Sequence, residues 1–314
     1  MTSPHRLCVI SPCRDEEQFL ARSVSSVLRQ TESPTTWIVV DDGSTDRTPE
    51  LLEELLDHVP WARVVDNPRT GGRVLGSGVV RAFTAGLAHV DLDDYDFVVK
   101  LDLDLDLPPG YFAGVLALMD EDPRLGSVSG KPFHIDGRGR LQHEINGDEN
   151  SVGMAKLWRV AAYRDIGGLV PELMWDGIDC HQLRRNGWRV YSTADPALAF
   201  EHLRAMGASD RGVLRGRRRH GAGQYFMGTS PVFLVASAAR RLLFPPAVLG
   251  SISMVVGYAW AALRRRPRLD DPGFIRDLRR YQRESLLLGK AEAVRRWERR
   301  VARERRADPG ARAA

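Results

Sequence analysis

The feature that most constrains the fold is an alternation of short apolar runs and helix-period segments over the first hundred residues. The apolar runs have the length of strands, and the segments between them carry apolar residues three and four positions apart. This alternation predicts right-handed crossovers and an α/β fold, with a mostly parallel sheet covered by helices on both faces. The predicted strands are residues 7–10, 37–40, 62–65 and 97–101. The predicted helices are residues 16–30, a second helix that Thr45 or Asp46 caps and that has Pro49 in its first turn, and residues 79–89.

Carboxylates follow two of these predicted strands. Asp41 and Asp42 end the second strand, and Asp102, Asp104 and Asp106 follow the fourth at alternate positions. In an extended chain these last three side chains would share one face, where like charges repel and are costly to desolvate. A divalent cation removes that cost, and carboxylate oxygens suit Mg²⁺ or Mn²⁺ when substrate phosphates complete the shell. The alternative is a solvated acidic edge or loop, and we expect Asp106 to be such a solvated carboxylate.

The composition sets further bounds. The 314 residues are 43% hydrophobic and 27% charged, which is ordinary for a globular protein long enough for one large domain with an appendage. Three cysteines, Cys8, Cys13 and Cys180, fit a reducing compartment better than a disulfide framework. The first residues do not have the form of a signal peptide, so we expect the N-terminus in the cytoplasm. The sequence has neither a glycine-rich dinucleotide fingerprint after the first strand nor a Walker P-loop.

Several ordered motifs resemble the signatures of family 2 glycosyltransferases with the GT-A fold. They are residues 11–17 (SPCRDEE), 39–46 (VVDDGSTD), 101–104 (LDLD), 167–169 (GGL), and Asp176 eleven residues ahead of Gly187. The resemblance covers about residues 7–202. It implies a GT-A type, Rossmann-like, mostly parallel sheet flanked by helices, and inverting transfer of a sugar from a nucleotide-sugar donor.

The resemblance also implies roles at the donor. Asp41 and Asp42 would accept hydrogen bonds from the base and ribose of the nucleotide, which the resemblance implies is that of a UDP-sugar, and Arg14 would lie against the same nucleotide. Asp104 would ligate the Mg²⁺ or Mn²⁺ ion that bridges the diphosphate. Asp102 would face the ribose and support the metal.

Two basic positions extend this expected site. His202 lies where the family often has a histidine near the metal and diphosphate, although a lone histidine is often structural. Arg219 falls where processive members carry a Gln-x-x-Arg-Trp block, but here no Trp follows and Gln224 comes after the arginines. Arg219 can still clamp a diphosphate. The departure disfavours long polymerisation, and a solvated basic face is the alternative.

The expected catalytic base is Asp176. Trp175 stands where the family usually has a Glu ahead of this Asp. Asp176 would deprotonate an acceptor hydroxyl for in-line attack at the anomeric carbon, with inversion. Asp179 is the competing candidate, and a plain helix cap is the structural alternative for Asp176.

The last third of the chain differs in kind, and we expect a glycosyltransferase domain over residues 1–225 and a helical membrane-associating region over residues 226–314. Residues 242–263 carry no charge and are long enough to span a bilayer. Pro245, Pro246 and arginines on both sides leave two alternatives, an interfacial or re-entrant hairpin and a buried soluble helix pair. A basic amphipathic helix or two should follow and fade into a disordered tail.

The sequence therefore predicts a metal-dependent inverting glycosyltransferase at the cytoplasmic face of the cell membrane. Its acceptor would be a glycan or a lipid-linked sugar in polysaccharide or glycoconjugate synthesis. A non-catalytic, membrane-associated relative that binds sugar nucleotides is the alternative. Nucleic acid is not an expected partner, because the arginine runs come without an aromatic platform or a known binding module.

Overall fold

The computed structural model describes residues 5–68, 76–143, 147–204, 212–242 and 247–307. The chain forms two compact units. The first consists of residues 1–171 and 188–206, and the second of residues 172–187 and 207–314. The domain boundary expected after residue 225 stays a prediction.

The first unit contains eleven described strands and five described α-helices. The strands are β1 (Leu7–Cys13), β2 (Thr36–Asp41), β3 (Ala62–Asp66), β4 (Phe97–Leu101), β5 (Leu105–Asp106), β6 (Leu125–Ser129), β7 (Pro132–Ile135), β8 (Leu141–His143), β9 (Ala155–Arg159), β10 (Arg189–Ser192) and β11 (Phe200–His202). The helices are α1 (Leu20–Leu28), α2 (Thr48–Leu56), α3 (Ser77–Leu87), α4 (Tyr111–Glu121) and α5 (Val160–Asp165).

Seven strands form the main sheet, in the order β10-β6-β9-β4-β1-β2-β3. The pairs β1–β2, β1–β4, β2–β3 and β6–β10 are parallel, whereas β9 runs antiparallel to both β4 and β6. The expected GT-A-like α/β sheet with flanking helices is confirmed, with one antiparallel strand inside it. Because β4, β1 and β2 are parallel neighbours, their carboxyl ends meet at one edge of the sheet, where ligands of such sheets bind.

The sheet is the centre of the core. Every residue of β1 is buried, as expected for a strand with neighbours on both sides and helices over both faces. Polar groups there are paired: the Trp37 indole nitrogen donates to the Ser11 hydroxyl oxygen at 2.9 Å. Burial also raises the pKa of the Cys8 thiol to about 12, so this cysteine is an inert core residue.

Helix α1 begins later than predicted. The pattern predicted a helix from Glu16, but α1 starts at Leu20. The Glu16 amide donates to the Thr48 hydroxyl oxygen at 2.8 Å, and the Glu17 amide donates to an Asp46 carboxylate oxygen at 3.2 Å. Hydrogen bonds that these two amides donate to Asp46 and Thr48, at the start of α2, therefore hold residues 16 and 17 outside the helix.

The acidic stretch after β4 is not one extended strand. β4 ends at Leu101, and the chain joins a second sheet at β5, whose strand order is β5-β11-β7-β8. Leu103 and Leu105 are buried in the main hydrophobic core. The expectation that Asp102, Asp104 and Asp106 share one strand face is wrong, because the chain changes sheets between them.

The second unit is helical in its described part. Its helices are α6 (Trp175–Arg185), α7 (Val213–Phe226), α8 (Pro231–Arg241), α9 (Ala247–Leu263), α10 (Pro272–Leu288) and α11 (Lys290–Ala307). α7 and α8 pack against α9, whereas α10 and α11 pack against α6. The arginine-rich α11 is helical through Ala307, and the expected disordered tail beyond it lies outside the described residues.

None of the helices over the described ranges is long and apolar enough to cross a membrane. The predicted apolar segment 242–263 is represented by Leu242 and α9, while Pro245 and Pro246 lie outside the described residues. Its association with a membrane stays a prediction.

Candidate active site

The ends of β1 and β2 bring three predicted nucleotide-binding residues together. The guanidinium of Arg14 donates to the backbone carbonyl oxygen of Asp42 at 3.0 Å, and the Asp42 amide donates to the Cys13 carbonyl oxygen at 2.8 Å. Arg14, Asp41 and Asp42 are all buried. The Asn67 side-chain amide, just beyond β3, donates to Asp42 Oδ1 at 2.8 Å. This network fixes the Asp42 carboxylate and the Arg14 guanidinium at the carboxyl edge of the sheet.

Asp41 closes a turn. Its Oδ1 atom accepts hydrogen bonds from the Ser44 amide at 2.9 Å and from the Ser44 hydroxyl at 2.6 Å. Such side-chain-to-backbone bonds are typical of Asp at the start of a turn. The turn accounts for one Asp41 oxygen, and the predicted role of this residue at a nucleotide stays a prediction.

Asp15 ties the loop after β1 to the loop after β2. It adopts a left-handed backbone with φ of 52°, which Asp tolerates better than most residues. Its Oδ1 atom accepts from the Thr45 amide at 2.8 Å and from the Thr45 hydroxyl at 3.2 Å. Hydrogen bonds therefore hold together the two loops that follow Arg14 and the Asp41–Asp42 pair.

Asp102, directly after β4, is paired with a lysine inside that strand. Lys100 Nζ donates to Asp102 Oδ1 at 2.5 Å and to the Gly153 carbonyl oxygen at 3.0 Å. Burial raises the pKa of Asp102 and outweighs the opposing charge of Lys100, and the negative charge of Asp104 adds to the rise. Lys100 was missed by the sequence reasoning, although a lysine within an apolar strand was a usable signal.

Asp104 has two basic side chains beside it, an imidazole and a guanidinium. Its Oδ2 atom lies 3.5 Å from His202 Nε2 and 3.3 Å from Arg204 Nε. The sheet positions them, because β11 pairs antiparallel with β5 and the Leu203 amide donates to the Asp104 carbonyl oxygen at 2.9 Å. Burial alone would raise the pKa of Asp104, but the hydrogen bond and charge of His202 and the charge of Arg204 outweigh it, so the pKa is lowered.

Arg204 extends this cluster to the loop after β1. Its guanidinium forms an ion pair with buried Glu16 and lies 4.9 Å from the centre of the Phe19 ring. Neither Arg204 nor Glu16 was among the predicted site residues. Arg204 is two residues beyond the predicted His202, but its contact with Glu16 joins residues far apart in the sequence, and no local pattern indicated it.

Asp106 belongs to a different cluster. Arg22 Nε donates to Asp106 Oδ2 at 2.7 Å, Arg29 also pairs with Asp106, and Arg22 binds Glu201 on β11. The expectation of a solvated carboxylate is wrong, because Asp106 is 16% exposed and holds α1 against the second sheet.

The donor atoms at Asp104 can be tested against a divalent cation. Asp104 and His202 provide one carboxylate and one imidazole in reach of each other, and Asp102 is taken up by Lys100. Within residues 5–307, leaving out the undescribed segments, no group of three or more His, Cys, Asp or Glu side chains is placed to hold a metal. Mg²⁺ and Mn²⁺ commonly use one or two protein ligands plus water and substrate phosphates. The residues therefore fit a cation that arrives with a diphosphate.

Asp176 lies in the first turn of α6, in the second unit. Met174 precedes the helix with φ of 71°, an uncommon left-handed backbone for a residue with a long side chain. Asp176 is half-buried, whereas Asp179 is 1% exposed and its Oδ1 atom accepts from the Cys180 amide at 2.7 Å. A base must reach its substrate, so exposure favours Asp176 over Asp179.

Arg219 lies in the middle of α7, also in the second unit, and is half-buried. Gln224, the other polar residue of this predicted block, accepts from the Thr229 hydroxyl at 2.6 Å and lies 3.3 Å from His220. Gln224 thus secures the end of α7. The proposed contact of Arg219 with a diphosphate stays a prediction.

The sequence that carries these features matches a known protein family. Residues 8–185 match the profile of Glycosyl transferase family 2. The chain belongs to this family and is a glycosyltransferase, which disfavours the non-catalytic alternative.

Three curated relatives give the range of similarity. The chain is 25% identical over 272 residues to undecaprenyl-phosphate 4-deoxy-4-formamido-L-arabinose transferase of Pseudomonas fluorescens, which covers 82% of this chain and 70% of the relative. It is 31% identical over 96 residues to chondroitin synthase of Pasteurella multocida, and this match covers 29% of this chain and 10% of the synthase. It is 27% identical over 148 residues to poly-beta-1,6-N-acetyl-D-glucosamine synthase of Staphylococcus aureus, covering 46% and 32%. The match thus spans a third or less of the two synthases.

Two solved structures share the fold. The mannosyltransferase PcManGT from Pyrobaculum calidifontis, in complex with GDP-Man and Mn²⁺, has a TM-score of 0.53 at 19% identity, covering 96% of this chain and 85% of that one. Residues 1–349 of S. aureus TarS, in complex with UDP-GlcNAc, give 0.52 at 14% identity, covering 95% and 92%. At these identities the likeness shows the fold alone.

Proposed function

We propose that this protein is a metal-dependent, inverting transferase that moves a sugar from a UDP-sugar to a glycan or lipid-linked acceptor. The observation that carries the proposal is the cluster at Asp104, where a carboxylate, an imidazole and a guanidinium converge beside the carboxyl edge of the sheet. A carboxylate beside His and Arg suits a ligand that combines a cation with a diphosphate.

The nucleotide would bind at the ends of β1 and β2. Asp41 and Asp42 carry oxygens that can accept from the N–H groups of a base and from ribose hydroxyls. Arg14, which holds the backbone of Asp42, would lie against the same nucleotide. The TarS complex with UDP-GlcNAc supports a uridine donor, and the PcManGT complex with GDP-Man keeps a guanosine donor as an outcome to test.

Asp104 and His202 would hold a Mg²⁺ or Mn²⁺ ion, with Asp102 supporting it from its pair with Lys100. When bound, such an ion neutralises the charge that develops on the leaving nucleoside diphosphate. The Mn²⁺ in the PcManGT complex supports this choice of metal. Arg204 would exchange its contact with Asp104 for the diphosphate, so that the same guanidinium steadies the carboxylate before donor binding and the phosphates afterwards.

Asp176 would act as the general base. Its carboxylate would take the proton of an acceptor hydroxyl as that oxygen bonds to the anomeric carbon. The bond between the anomeric carbon and the diphosphate oxygen breaks on the opposite face, so the configuration inverts. Arg219 would contribute charge to the departing diphosphate.

The acceptor would be presented at the cytoplasmic face of a membrane. One relative, which matches 82% of this chain, is named undecaprenyl-phosphate 4-deoxy-4-formamido-L-arabinose transferase, and this name supports a lipid-linked acceptor. The two synthases support a growing polysaccharide instead. The arginines of the second unit support a location against anionic lipid.

The test separates donor binding from transfer. Thermal shifts are measured with UDP-, GDP- and dTDP-sugars in the presence of Mn²⁺ or a chelator, and release of the nucleoside diphosphate is measured with an added lipid-phosphate or glycan acceptor. For Asp176→Asn we expect an unchanged donor shift and transfer lowered by about a hundredfold or more. The matched control is Glu172→Gln, an exposed carboxylate just ahead of α6, which should transfer normally. Normal turnover by Asp176→Asn would refute its role as base.

A further inference from the structure

Helix α9 presents an apolar face that the described part of the second unit leaves uncovered. The exposed apolar residues of this helix, which we call the outer face of α9, are between 40% and 77% exposed: Val248, Leu249, Ile252, Val256, Trp260 and Leu263. They recur three or four positions apart and so form one continuous stripe. A helix at the surface of a globular protein normally turns charged side chains to water, and this one has none along its 17 residues.

The opposite face of α9 is fixed against α7. A Cβ atom at Gly221 would overlap the carbonyl oxygen of Met254, and one at Gly257 would overlap the carbonyl oxygen of Arg218, so the two helix backbones touch. The Tyr258 hydroxyl donates to the Thr229 carbonyl oxygen at 2.7 Å. Because glycines and a buried hydroxyl set this packing, α9 cannot rotate its outer face inward without losing both.

Helix α8 adds to the exposed apolar surface. Val232 and Val235 are 69% and 58% exposed. The inner side of α8 is joined to α9, since the Ser251 hydroxyl donates to the Ala238 carbonyl oxygen at 2.9 Å. The packing of α8 against α9 therefore leaves apolar side chains of both helices exposed.

The sequence on both sides of α9 carries charge of one sign. Residues 211–269 contain eleven arginines and neither Asp nor Glu. Trp260 on the outer face has arginines at its ring, with the guanidinium carbon of Arg264 4.5 Å and that of Arg218 5.9 Å from the ring centre. An apolar stripe with a tryptophan and arginines beside it is typical of helices that lie in a membrane interface.

We propose that the outer face of α9 docks onto the surface of an anionic lipid bilayer, with the helix lying in the interface. The 17 residues of α9 would extend over roughly 25 Å, which is less than the apolar thickness of a bilayer, about 30 Å. A second copy of the chain fits this surface less well, because it would bring the same arginines against each other, whereas anionic headgroups neutralise them. The inference rests on the proposed function only for the presence of an acceptor at a membrane.

The test is co-sedimentation of the full chain with vesicles of phosphatidylcholine alone or of phosphatidylcholine with phosphatidylglycerol. Each arginine near an anionic surface strengthens binding by about fivefold, so we expect a preference of at least about tenfold for the anionic vesicles, which added salt weakens. The double variant Ile252→Asp, Val256→Asp should lose at least about tenfold in binding. The control is Ile135→Asp, Leu141→Asp, which changes two equally exposed apolar residues of the first unit and should alter binding less than twofold.

A label makes the test independent of whether the acidic variant folds. Cys8, Cys13 and Cys180 are buried, so a cysteine introduced as Ile252→Cys can be labelled with an environment-sensitive dye. Its emission should shift to the blue on anionic vesicles, and that of Ile135→Cys should stay constant. The proposal would be overturned if the protein did not bind vesicles, or if the acidic variant bound them as well as its control. It would also be overturned if the unaltered protein sedimented as a dimer without lipid and the acidic variant sedimented as a monomer.

Donor binding is followed in the same samples by thermal shift. Vesicle binding without a donor shift would leave the docking surface standing and refute the proposed function. A donor shift without vesicle binding would do the reverse.

Discussion

Lys100→Met should destabilise the first unit markedly. The side chain of Lys100 is 2% exposed, and its ammonium group donates to Asp102 at 2.5 Å and to the Gly153 carbonyl oxygen at 3.0 Å. Methionine keeps the length of the side chain, so the change removes the charge and its hydrogen bonds with little change in volume. What remains is an Asp102 carboxylate without its lysine.

The magnitude follows from the burial of both partners. Removing one partner of a buried ion pair costs about 3–5 kcal/mol. Because the Asp102 side chain is 26% exposed and water can reach it, we expect the lower limit, about 3 kcal/mol. For a unit of this size that corresponds to a fall in Tm of about 6–12 °C.

The assay is urea and thermal unfolding of Lys100→Met, Asp102→Asn and the double variant. The double variant should be more stable than the sum of the single changes predicts, by about 2 kcal/mol. Lys131→Met is the matched control, since Lys131 pairs with a carboxylate that is 77% exposed, and it should cost less than about 1 kcal/mol. A coupling below about 0.5 kcal/mol would refute the reasoning, because the two groups would then be stabilised independently.

Two further predictions concern the second unit. Gly221→Ala should destabilise it by about 3 kcal/mol or more in thermal unfolding, because the new methyl group overlaps backbone of α9. The control is Gly216→Ala on the same helix, whose methyl group meets nothing within 4 Å, so it should be neutral or stabilising. Equal effects of the two changes would contradict the close packing of α7 and α9. Burial, with the charges of Arg241 and Arg217, lowers the pKa of His220 to about 4. The native state then binds fewer protons than the unfolded state between about pH 6.5 and 4, so the free energy of unfolding should fall by about 3 kcal/mol as pH falls through that window. In His220→Gln that part of the pH dependence should vanish, and an unchanged pH profile would rule out this histidine as its source.

The strands and helices that could be predicted are those in which one pattern decides the structure. β4 lies at the predicted residues because a short apolar run bounded by charged residues is typical of a buried strand. The second helix begins near its predicted Asp46 cap, whose Oδ1 atom accepts from the Thr48 amide at 3.0 Å. The start of α1 was misplaced because residues 16 and 17 bond to this distant segment instead of to their own helix.

The second sheet and the arrangement at Asp104 were beyond such patterns. β5 and β11 are two and three residues long, too short for a period to be read, and they pair across nearly a hundred residues of chain. That pairing brings Arg204 to Asp104 and places Asp106 beside Arg22 and Arg29. Three carboxylates at alternate positions therefore have three different environments, and only their long-range partners distinguish them.

The most direct test of the account is calorimetric titration of the protein with a UDP-sugar, with Mn²⁺ or with a chelator. We predict binding with Mn²⁺ that weakens by about a hundredfold or more with the chelator and in Asp104→Asn. Asp106→Asn, in the same acidic stretch but paired with Arg22 and Arg29, should bind as the unaltered protein does. Undiminished binding by Asp104→Asn in the presence of Mn²⁺ would contradict the assignment of Asp104 as the residue that holds the metal with the donor.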